Sequence, residues 1–305
     1  AQIACVILAV ILILVVLEKS GRRNSRYYQS ARQLRPVASI SLQGPMAWIA
    51  TILCLIPVGM GFFLPLGVIA GHALDAPSVW ISAGLGRALL NTLFVGGMAA
   101  VLTVAGALFM VYGVRLSGRR LPRLLLPVTT IGYAAPGAVL AVGILIPVAA
   151  LDHRIADGWQ ALTGHDPGLL LTGTTAAIIL AYVVRFFAIA QGATDAAFGR
   201  VSPALPMAAR SLGRTPGATL REVYMPLMKG SVGTALLLVF VDCVKELPAT
   251  LLLRPFNYDT LATRVHEKAS LENLGEASPP ALMVIAVGLV AVGLLARANF
   301  RKHQG

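Results

Sequence analysis

Apolar residues in this chain are gathered into blocks of roughly 17–27 residues, each long enough to cross a hydrocarbon core about 30 Å thick. Inside lipid, every backbone N–H and C=O group must find a partner within the protein, so blocks of this length form helices. The period-two alternation of a membrane β-barrel is absent. Only 12% of the residues are charged, about half the share of a soluble domain. The sequence therefore predicts an all-α, polytopic membrane protein.

Seven membrane spans are predicted, at residues 1–17, 46–70, 89–114, 124–151, 169–190, 229–253 and 279–296. The chain begins at Ala1 without a methionine and is already apolar at Ile3. It lacks the charged start and the small-residue cleavage site of a secretory signal. We therefore expect the sequence to begin inside a truncated transmembrane helix of a longer protein.

The net charge of +12 would suit a nucleic-acid-binding protein, but the positions of the basic residues argue against that class. The first, third and fifth connections and the C-terminus hold 19 of the 25 Lys and Arg residues. Basic loops are retained on the cytoplasmic side of a membrane. The chain is therefore predicted to start outside and to end at Gly305 in the cytoplasm, in contact with membrane lipid and without nucleic acid.

The connection at residues 202–227 carries two helix start signals. Ser202 and Thr215 are each followed by proline, which is typical of an N-cap and the first helical position. Gly213 is typical of a helix end, and Pro226 is expected to stop the second helix. The loop is therefore predicted to form a rigid protruding knob of two short helices.

Small and basic side chains make this knob suitable for contact with another protein. Ala208 and Ala209 allow close approach by a partner. The basic residues that could reach carboxylates on that partner are Arg210, Arg214 and Arg221.

This pattern resembles the loop with which permeases of ABC importers dock into their ATPase subunit. In that family it reads Glu-Ala-Ala, three residues, a glycine, and about nine residues later an apolar-x-Leu-Pro sequence. Here it reads Met207-Ala208-Ala209, Gly213 and Val223-Tyr-Met-Pro226. Met207 replaces the glutamate, so its charge contact is not expected here. The resemblance implies that the ATPase-docking residues are Met207, Ala208, Ala209, Arg210, Gly213 and Pro226.

Residues 46–305 resemble one six-span permease unit, and residues 242–267 are similar to the ferric-iron branch of that superfamily. Those permeases often consist of two fused six-span repeats. The resemblance then implies that residues 1–17 are the last helix of a missing first repeat and that residues 18–45 form a basic cytoplasmic linker. A partner chain could supply this other repeat instead.

The family also implies a mechanism in which ATP binds to other chains. A periplasmic binding protein would deliver Fe³⁺, ATP would close a dimer of ATPase subunits, and the docking loops would pass that motion to the spans. No Gly-x-x-x-x-Gly-Lys-Ser/Thr sequence occurs here, so ATP is expected on a separate ATPase. Cys5, Cys54 and Cys243 lie in apolar blocks without metal-ligand spacing. The chain is expected to be a transport subunit with no catalytic residue, bound cofactor or metal site.

Three charged residues, Asp242, Lys245 and Glu246, fall within the sixth predicted span. A lone charge at the bilayer centre costs about 2.5–3.5 kcal/mol on insertion scales. Offsets of three and four residues place the three on one helix face, where they partly neutralise each other, and Pro248 frees a carbonyl on the same helix. They form either a translocation pathway or gate, or an ion-pair cluster that fixes helix packing. Arg185 is expected to extend from the fifth span to the cytoplasmic interface.

The outer connection after the sixth span is rich in oxygen-bearing side chains. Hard cations such as Fe³⁺ prefer carboxylate and phenolate oxygens, so a transient metal site is one interpretation. A solvated face, or a docking surface for the binding protein, is the other. The residues are Tyr258, Asp259, His266, Glu267, Glu272 and Glu276.

Two alternatives remain at this point. The first keeps the permease class and changes the cargo to thiamine, sulfate, a polyamine or a phosphonate. The second is an ion-coupled secondary transporter, in which the intramembrane lysine and carboxylates relay ions or protons. The second alternative needs neither an ATPase nor a docking loop, so the knob at 202–227 argues against it.

Overall fold

The computed structural model describes Ile13 and residues 43–300. Nearly all of the predicted first span and of the linker at 18–45 therefore lies outside the described residues. Every regular element among the described residues is a helix. The chain divides into two compact units, Ala1–Asp75 and Ala76–Gly305.

In the first unit the described structure is one long helix, α1, at Pro45–Leu74. A wider π-helical turn at Gly59–Phe63 interrupts it just before Pro65. The Leu64 N–H donates to the Gly59 carbonyl five residues back. A π turn before a proline keeps the helix continuous, because Pro65 has no N–H to contribute to the regular ladder.

The second unit contains eleven helices within the described residues. In chain order they are α2 Pro77–Trp80, α3 Ala83–Ser117, α4 Arg120–Leu125, α5 Ile131–Ala134, α6 Gly137–Thr163, α7 Thr175–Gly199, α8 Ala204–Ser211, α9 Pro216–Val244, α10 Pro248–Leu253, α11 Leu261–Ser270 and α12 Leu274–Phe300. A 3₁₀ turn at Leu126–Thr130 joins α4 to α5.

Six of the described helices are long and apolar enough to cross a membrane: α1, α3, α6, α7, α9 and α12. This confirms the prediction of an all-α, polytopic fold with six spans after residue 45. The core of the second unit lies where α3, α7 and α9 pack together. Ala99, Ala181, Ala190 and Ala235 have no exposed surface there. Small residues let membrane helices approach closely and gain van der Waals contact without a hydrophobic driving force from water.

The predicted span at 124–151 is wrong at both ends. The long helix α6 begins only at Gly137, because Pro136 disfavours helical geometry at Ala135 and the chain leaves the helix there. It then continues to Thr163 and ends at Gly164, whose φ of 72° is left-handed. The polar stretch that follows residue 151, predicted as loop, is therefore helical over most of its length.

Asp152 explains why this polar stretch stays in the helix. Its carboxylate has no exposed surface and accepts backbone N–H groups from Leu170, Leu171 and Thr172 at 2.8, 3.0 and 2.7 Å. A carboxylate that accepts several N–H groups replaces the hydration it loses on burial. Asp152 thus holds the chain that enters α7 against the far end of α6.

The predicted sixth span at 229–253 is also wrong. The helix α9 starts thirteen residues earlier, at Pro216, and ends at Val244. Pro248 occupies the first turn of the separate helix α10 rather than the interior of α9. A proline disfavours helical geometry in the residue before it and suits a first helical turn, so the chain breaks at residues 245–247.

Candidate functional site

The knob predicted at residues 202–227 consists of α8 and the first turn of α9, joined by a tight turn. Gly213 ends α8 with a φ of 80°, the left-handed conformation that favours glycine. Its N–H donates to the Arg210 carbonyl at 2.9 Å, and the Arg214 N–H donates to the Ala209 carbonyl at 3.1 Å. These bonds satisfy carbonyl groups at the helix end and fix the angle at which α9 begins.

The start signals of the two knob helices differ in outcome. Thr215 caps α9 as predicted, because its hydroxyl accepts the Ala218 N–H at 3.3 Å. Ser202 does not cap α8: Pro203 stands at the N-cap position, and no side chain caps this helix. The Ser202 carbonyl instead accepts the Leu205 N–H at 3.1 Å.

Pro226 does not stop the second helix, contrary to the prediction. A π turn at Leu220–Tyr224 precedes it, in which the Met225 N–H donates to the Leu220 carbonyl. This arrangement repeats the one before Pro65 in α1 and carries the helix past the proline. The knob is therefore the end of the membrane-spanning helix α9 itself. Any displacement of the knob acts directly on that span.

The knob presents apolar and basic side chains at its surface. Met207 is 64% exposed and Leu212 is 83% exposed. Ala208 and Arg210 are also exposed. Arg214 forms an ion pair with Glu222 of the same knob at 3.2 Å, so its charge is already partly compensated. The exposed surface suits a hydrophobic contact with a protein partner, supplemented by basic groups.

Three aromatic rings connect the knob to the bundle. Tyr112 of α3 stacks on Phe198 of α7 with ring centroids 5.8 Å apart. Tyr224 at the knob end of α9 meets both rings edge-on, at 5.7 and 5.0 Å. The Tyr112 hydroxyl also donates to the Pro216 carbonyl at 2.6 Å. This aromatic cluster of Tyr112, Phe198 and Tyr224 holds the start of α9 against the ends of two other spans.

Glu246 does not pair with its neighbours in sequence, contrary to the prediction. Its carboxylate Oε2 lies 3.0 Å from Nε of Arg185 in α7, and the two side chains are only 7% and 19% exposed. Arg185 therefore does not extend to the cytoplasmic interface; it lies near the middle of the 25-residue helix α7. The two residues form a buried ion pair inside the membrane-spanning bundle.

This ion pair lies where two helix breaks meet. Glu246 is in the break between α9 and α10, and it accepts the Ala249 N–H at 3.3 Å. Arg185 donates from Nη1 to the carbonyl of Ala135, in the break between α5 and α6. Gly137 leaves the necessary room, because a Cβ there would lie 2.6 Å from Oε1 of Glu246. The pair therefore ties together two irregular backbone segments within the bundle.

The other two predicted pathway residues pair with each other. Lys245 Nζ lies 2.6 Å from Oδ1 of Asp242, three residues back, and Lys245 is 65% exposed. The structure thus separates the three predicted residues into an exposed local pair and a buried long-range pair. Of the three, only Glu246 joins separate helices.

The outer connection does not bring its oxygen ligands together as a metal site. Among the described residues, no group of three or more His, Cys, Asp or Glu side chains could hold a metal ion. Arg254 forms an ion pair with Asp259, and Lys268 forms one with Glu276 at 2.5 Å. Burial raises the pKa of the Tyr258 phenol.

Sequence reasoning missed Arg185 and the aromatic cluster as functional residues. The signal for Arg185 was ambiguous: an arginine inside an apolar span calls for an opposite charge, but near the end of the predicted span at 169–190 its side chain could also reach the interface. Glu246 was expected to be neutralised within its own helix, although the adjacent Lys245 does not face it on a helix. The aromatic cluster gave no comparable signal, because its three members are far apart in sequence.

Together, the described helices define a polytopic α-helical membrane protein in which the connection between α7 and α9 forms an exposed knob. The family model for the inner membrane component of binding-protein-dependent transport systems matches residues 103–303. The chain belongs to this family, which makes it a multi-pass inner membrane transport subunit rather than an enzyme.

Curated relatives include permeases with different named cargoes. The Fe(3+)-transport system permease protein FbpB 2 of Haemophilus influenzae is 31% identical over 221 residues, which are 70% of this chain and 39% of that protein. PhnV of Salmonella typhimurium, named for 2-aminoethylphosphonate transport, is 23% identical over 241 residues, 79% of this chain and 83% of that protein. The chain thus spans about two fifths of its ferric-transport relative.

Solved structures show the same fold. The chain matches one chain in the crystal structure of a bacterial alginate ABC transporter in complex with an alginate pentasaccharide-bound periplasmic protein, with a TM-score of 0.62 at 15% identity. This match covers 85% of the chain and 94% of the other. At this identity the likeness concerns the fold alone.

Proposed function

We propose that this chain is the membrane-spanning permease of an ATP-driven importer and that its cargo is ferric iron delivered by a periplasmic binding protein. The knob at residues 202–227 is the observation that carries the proposal. It is exposed, it is held rigid at Gly213, and it is continuous with the span α9. An ion-coupled transporter has no use for such an element, and membership in a binding-protein-dependent family argues against that class.

A separate ATPase dimer is the proposed partner of the knob. Met207, Ala208 and Leu212 would enter a cleft on the ATPase, with Arg210 at the edge of the contact. Because Met207 is apolar and exposed, a hydrophobic contact replaces the charge contact that a glutamate would make. Closure of the ATPase dimer then displaces α9, and the aromatic cluster transmits this displacement to α3 and α7.

The ion pair between Arg185 and Glu246 is the proposed gate element. It ties the break between α5 and α6 to the break between α9 and α10, so these segments cannot separate while it is intact. Irregular backbone at membrane depth is tolerated where it is buried in protein or lines a cavity. We infer that movement of α9 separates the two charges and opens the passage at this level. Asp242 and Lys245, which pair locally, are proposed to line its outer side.

The relatives support ferric iron as the cargo and name one of the alternatives, a phosphonate. Iron is favoured by the 31% identical permease named for Fe(3+) transport. The competing cargo is 2-aminoethylphosphonate, because PhnV aligns over 83% of its own length. We also propose the domain arrangement predicted from the sequence. Residues 1–17 end a first repeat, residues 18–45 are a cytoplasmic linker, and residues 46–305 form the second repeat with Gly305 in the cytoplasm.

Transport by the full-length protein tests the proposal. The protein would be purified with the chains encoded beside it and reconstituted into liposomes with the cognate binding protein outside. We expect uptake of radiolabelled Fe³⁺ only with ATP on the knob side. Uptake of 2-aminoethylphosphonate but not Fe³⁺ would contradict the cargo, and ATP-independent uptake driven by an ion gradient would contradict the permease class.

A further inference from the structure

A basic cavity lies at the end of the second unit opposite the knob. It has a volume of about 240 Å³ and is lined by Ser78, Val79, Ser82, Arg264, Lys268 and Glu276. These residues come from α2, the turn before α3, α11 and the first turn of α12. None of them belongs to the knob or to the ion pair of Arg185 and Glu246.

The charges in this cavity do not cancel. Lys268 and Glu276 form an ion pair at 2.5 Å. The Arg264 guanidinium has neither an ion pair nor a hydrogen bond within the described part of the chain. It lies against Gly84 in the first turn of α3, in space that a Cβ there would fill. Glu276 is close enough to interact electrostatically with the half-buried Arg264 as well. A single carboxylate against two cations still leaves the cavity with a net positive charge, and the five N–H donors of the guanidinium stay unused.

Further donors point to an oxyanion as the missing partner. Lys268 uses one of its three N–H groups on Glu276 and keeps two. The Ser82 hydroxyl donates to the Val79 carbonyl at 2.7 Å, so Ser78, which is exposed, supplies the hydroxyl that remains available. Guanidinium and ammonium groups bind phosphate and carboxylate oxygens through charge-assisted hydrogen bonds.

The position of the cavity indicates which molecule supplies the oxyanion. It opens where the spans α3 and α12 begin, and we expect the ends of membrane-spanning helices to lie near the lipid headgroups. Large apolar side chains beside the lining residues are exposed: Ile81 by 88%, Leu271 by 72% and Leu274 by 49%. A soluble anion would not contact these apolar side chains, whereas the acyl chains of a phospholipid would cover them. Trp80, 42% exposed, is a residue type enriched at this interface.

We propose that this cavity binds the phosphodiester group of a membrane phospholipid, with Arg264 as its main ligand, Lys268 and Ser78 as further donors, and the exposed apolar residues under the acyl chains. The site is independent of the cargo. It would anchor α11 and the start of α12 at the membrane surface while α9 moves.

Native mass spectrometry of the delipidated full-length complex tests this assignment. The probes are dioleoyl phosphatidylglycerol, dioleoylglycerol without a phosphate, and inorganic phosphate. We expect one phosphatidylglycerol to be retained, and Arg264→Gln to weaken its binding about tenfold, the loss that corresponds to one charged hydrogen-bonded contact. Gly84→Ala should act in the same direction by displacing the guanidinium. Arg154→Gln, at an exposed arginine at the same end of the bundle, should leave binding unchanged.

Three results would overturn the proposal. Equal retention of dioleoylglycerol would show that only the apolar surface binds lipid. Inorganic phosphate that binds in an Arg264-dependent way and displaces no lipid would define a free-anion site. Loss of binding-protein association in Arg264→Gln, with phosphatidylglycerol retention unchanged, would assign the cavity to a carboxylate of that protein. Melting curves of the variants would confirm that each one folds.

Discussion

Glu246 and Arg185 are the residues whose chemistry depends most on their surroundings. Either charge alone, at 7% and 19% exposure, would lack both water and a counter-charge. Removal of one partner from a buried ion pair costs about 3–5 kcal/mol, whereas replacement of both by neutral groups of similar size is often neutral. This asymmetry allows a structural role to be separated from a gating role.

The single variants Glu246→Gln and Arg185→Met should lower thermal stability and abolish uptake. The double variant Arg185→Met with Glu246→Gln should regain most of the stability, because no buried charge is left unpaired. If the pair is a gate, the double variant should remain defective in coupled uptake although it assembles with the ATPase. Thermal melting and uptake into proteoliposomes are the two measurements.

The ion pair of Asp242 and Lys245 provides the matched control for the Arg185 and Glu246 variants. Asp242→Asn with Lys245→Met removes a local ion pair with a 65% exposed lysine, and such pairs contribute about 0–1 kcal/mol. Stability should hardly change in this control. Full recovery of uptake in the Arg185 and Glu246 double variant would limit that pair to helix packing.

The left-handed conformation of Gly213 leads to a second prediction about a single residue. Its φ of 80° costs any residue with a Cβ about 1–2 kcal/mol, so Gly213→Ala should distort the knob. We expect the fraction of co-purified ATPase to fall about fivefold to thirtyfold, the factor that corresponds to this energy. Gly217→Ala is the control, because Gly217 lies in a helical turn with no atom within 4 Å of its Cβ position. Equal ATPase retention in both variants would exclude the left-handed turn as a requirement for docking.

At the scale of the element, the aromatic cluster is the link between knob and bundle. Tyr112→Phe keeps the ring and removes the hydrogen bond to the Pro216 carbonyl, which contributes about 1 kcal/mol. We expect ATPase association to persist and ATP-driven uptake to fall, because the knob still docks but transmits its movement less completely. The ratio of solute transported to ATP hydrolysed measures this loss.

Tyr133→Phe is the control for that experiment, since Tyr133 is 52% exposed and lies outside the cluster. A fall in ATPase association for Tyr112→Phe, with an unchanged transport ratio, would place Tyr112 in docking rather than in transmission.

The sequence predicted the existence of these elements better than their ends. Spans were recognised because long apolar runs must be helical in lipid. The limits of α6 and α9 were misjudged because each helix extends beyond a residue or segment that was expected to end it. The polar end of α6 stays helical because Asp152 finds three backbone N–H groups from a later segment. The helix α9 passes Pro226 because a π turn compensates for the missing N–H. Both causes depend on bonds that residue type and spacing do not reveal.

For the candidate site, too, the sequence predicted local features but not contacts between distant residues. Gly213 and Thr215 were predicted correctly because a cap is a local feature. The partner of Glu246 was not, because Arg185 lies 61 positions earlier and only the folded bundle brings the two together.

The orientation of the whole molecule in the membrane can be tested by cysteine labelling. Single cysteines at 157 and 210 would be introduced in a background that lacks Cys5, Cys54 and Cys243. Asp157 and Arg210 are both exposed, and the distribution of basic residues predicts that they face opposite sides of the membrane. In intact cells an impermeant maleimide should label position 157 only, and in permeabilised cells it should label both. Labelling of position 210 in intact cells would reverse the orientation.

Docking of the knob on a separate ATPase can be examined by a photocrosslink from position 208. Ala208 is exposed on the knob, so a benzophenone amino acid at that position would reach a docked partner without disturbing the core. We expect a crosslink to a chain that contains a Gly-x-x-x-x-Gly-Lys-Ser/Thr sequence, and none from the same probe at position 272. Crosslinking at 208 that yields no ATPase, in a complex that still performs ATP-driven uptake, would show that the knob is not the docking element.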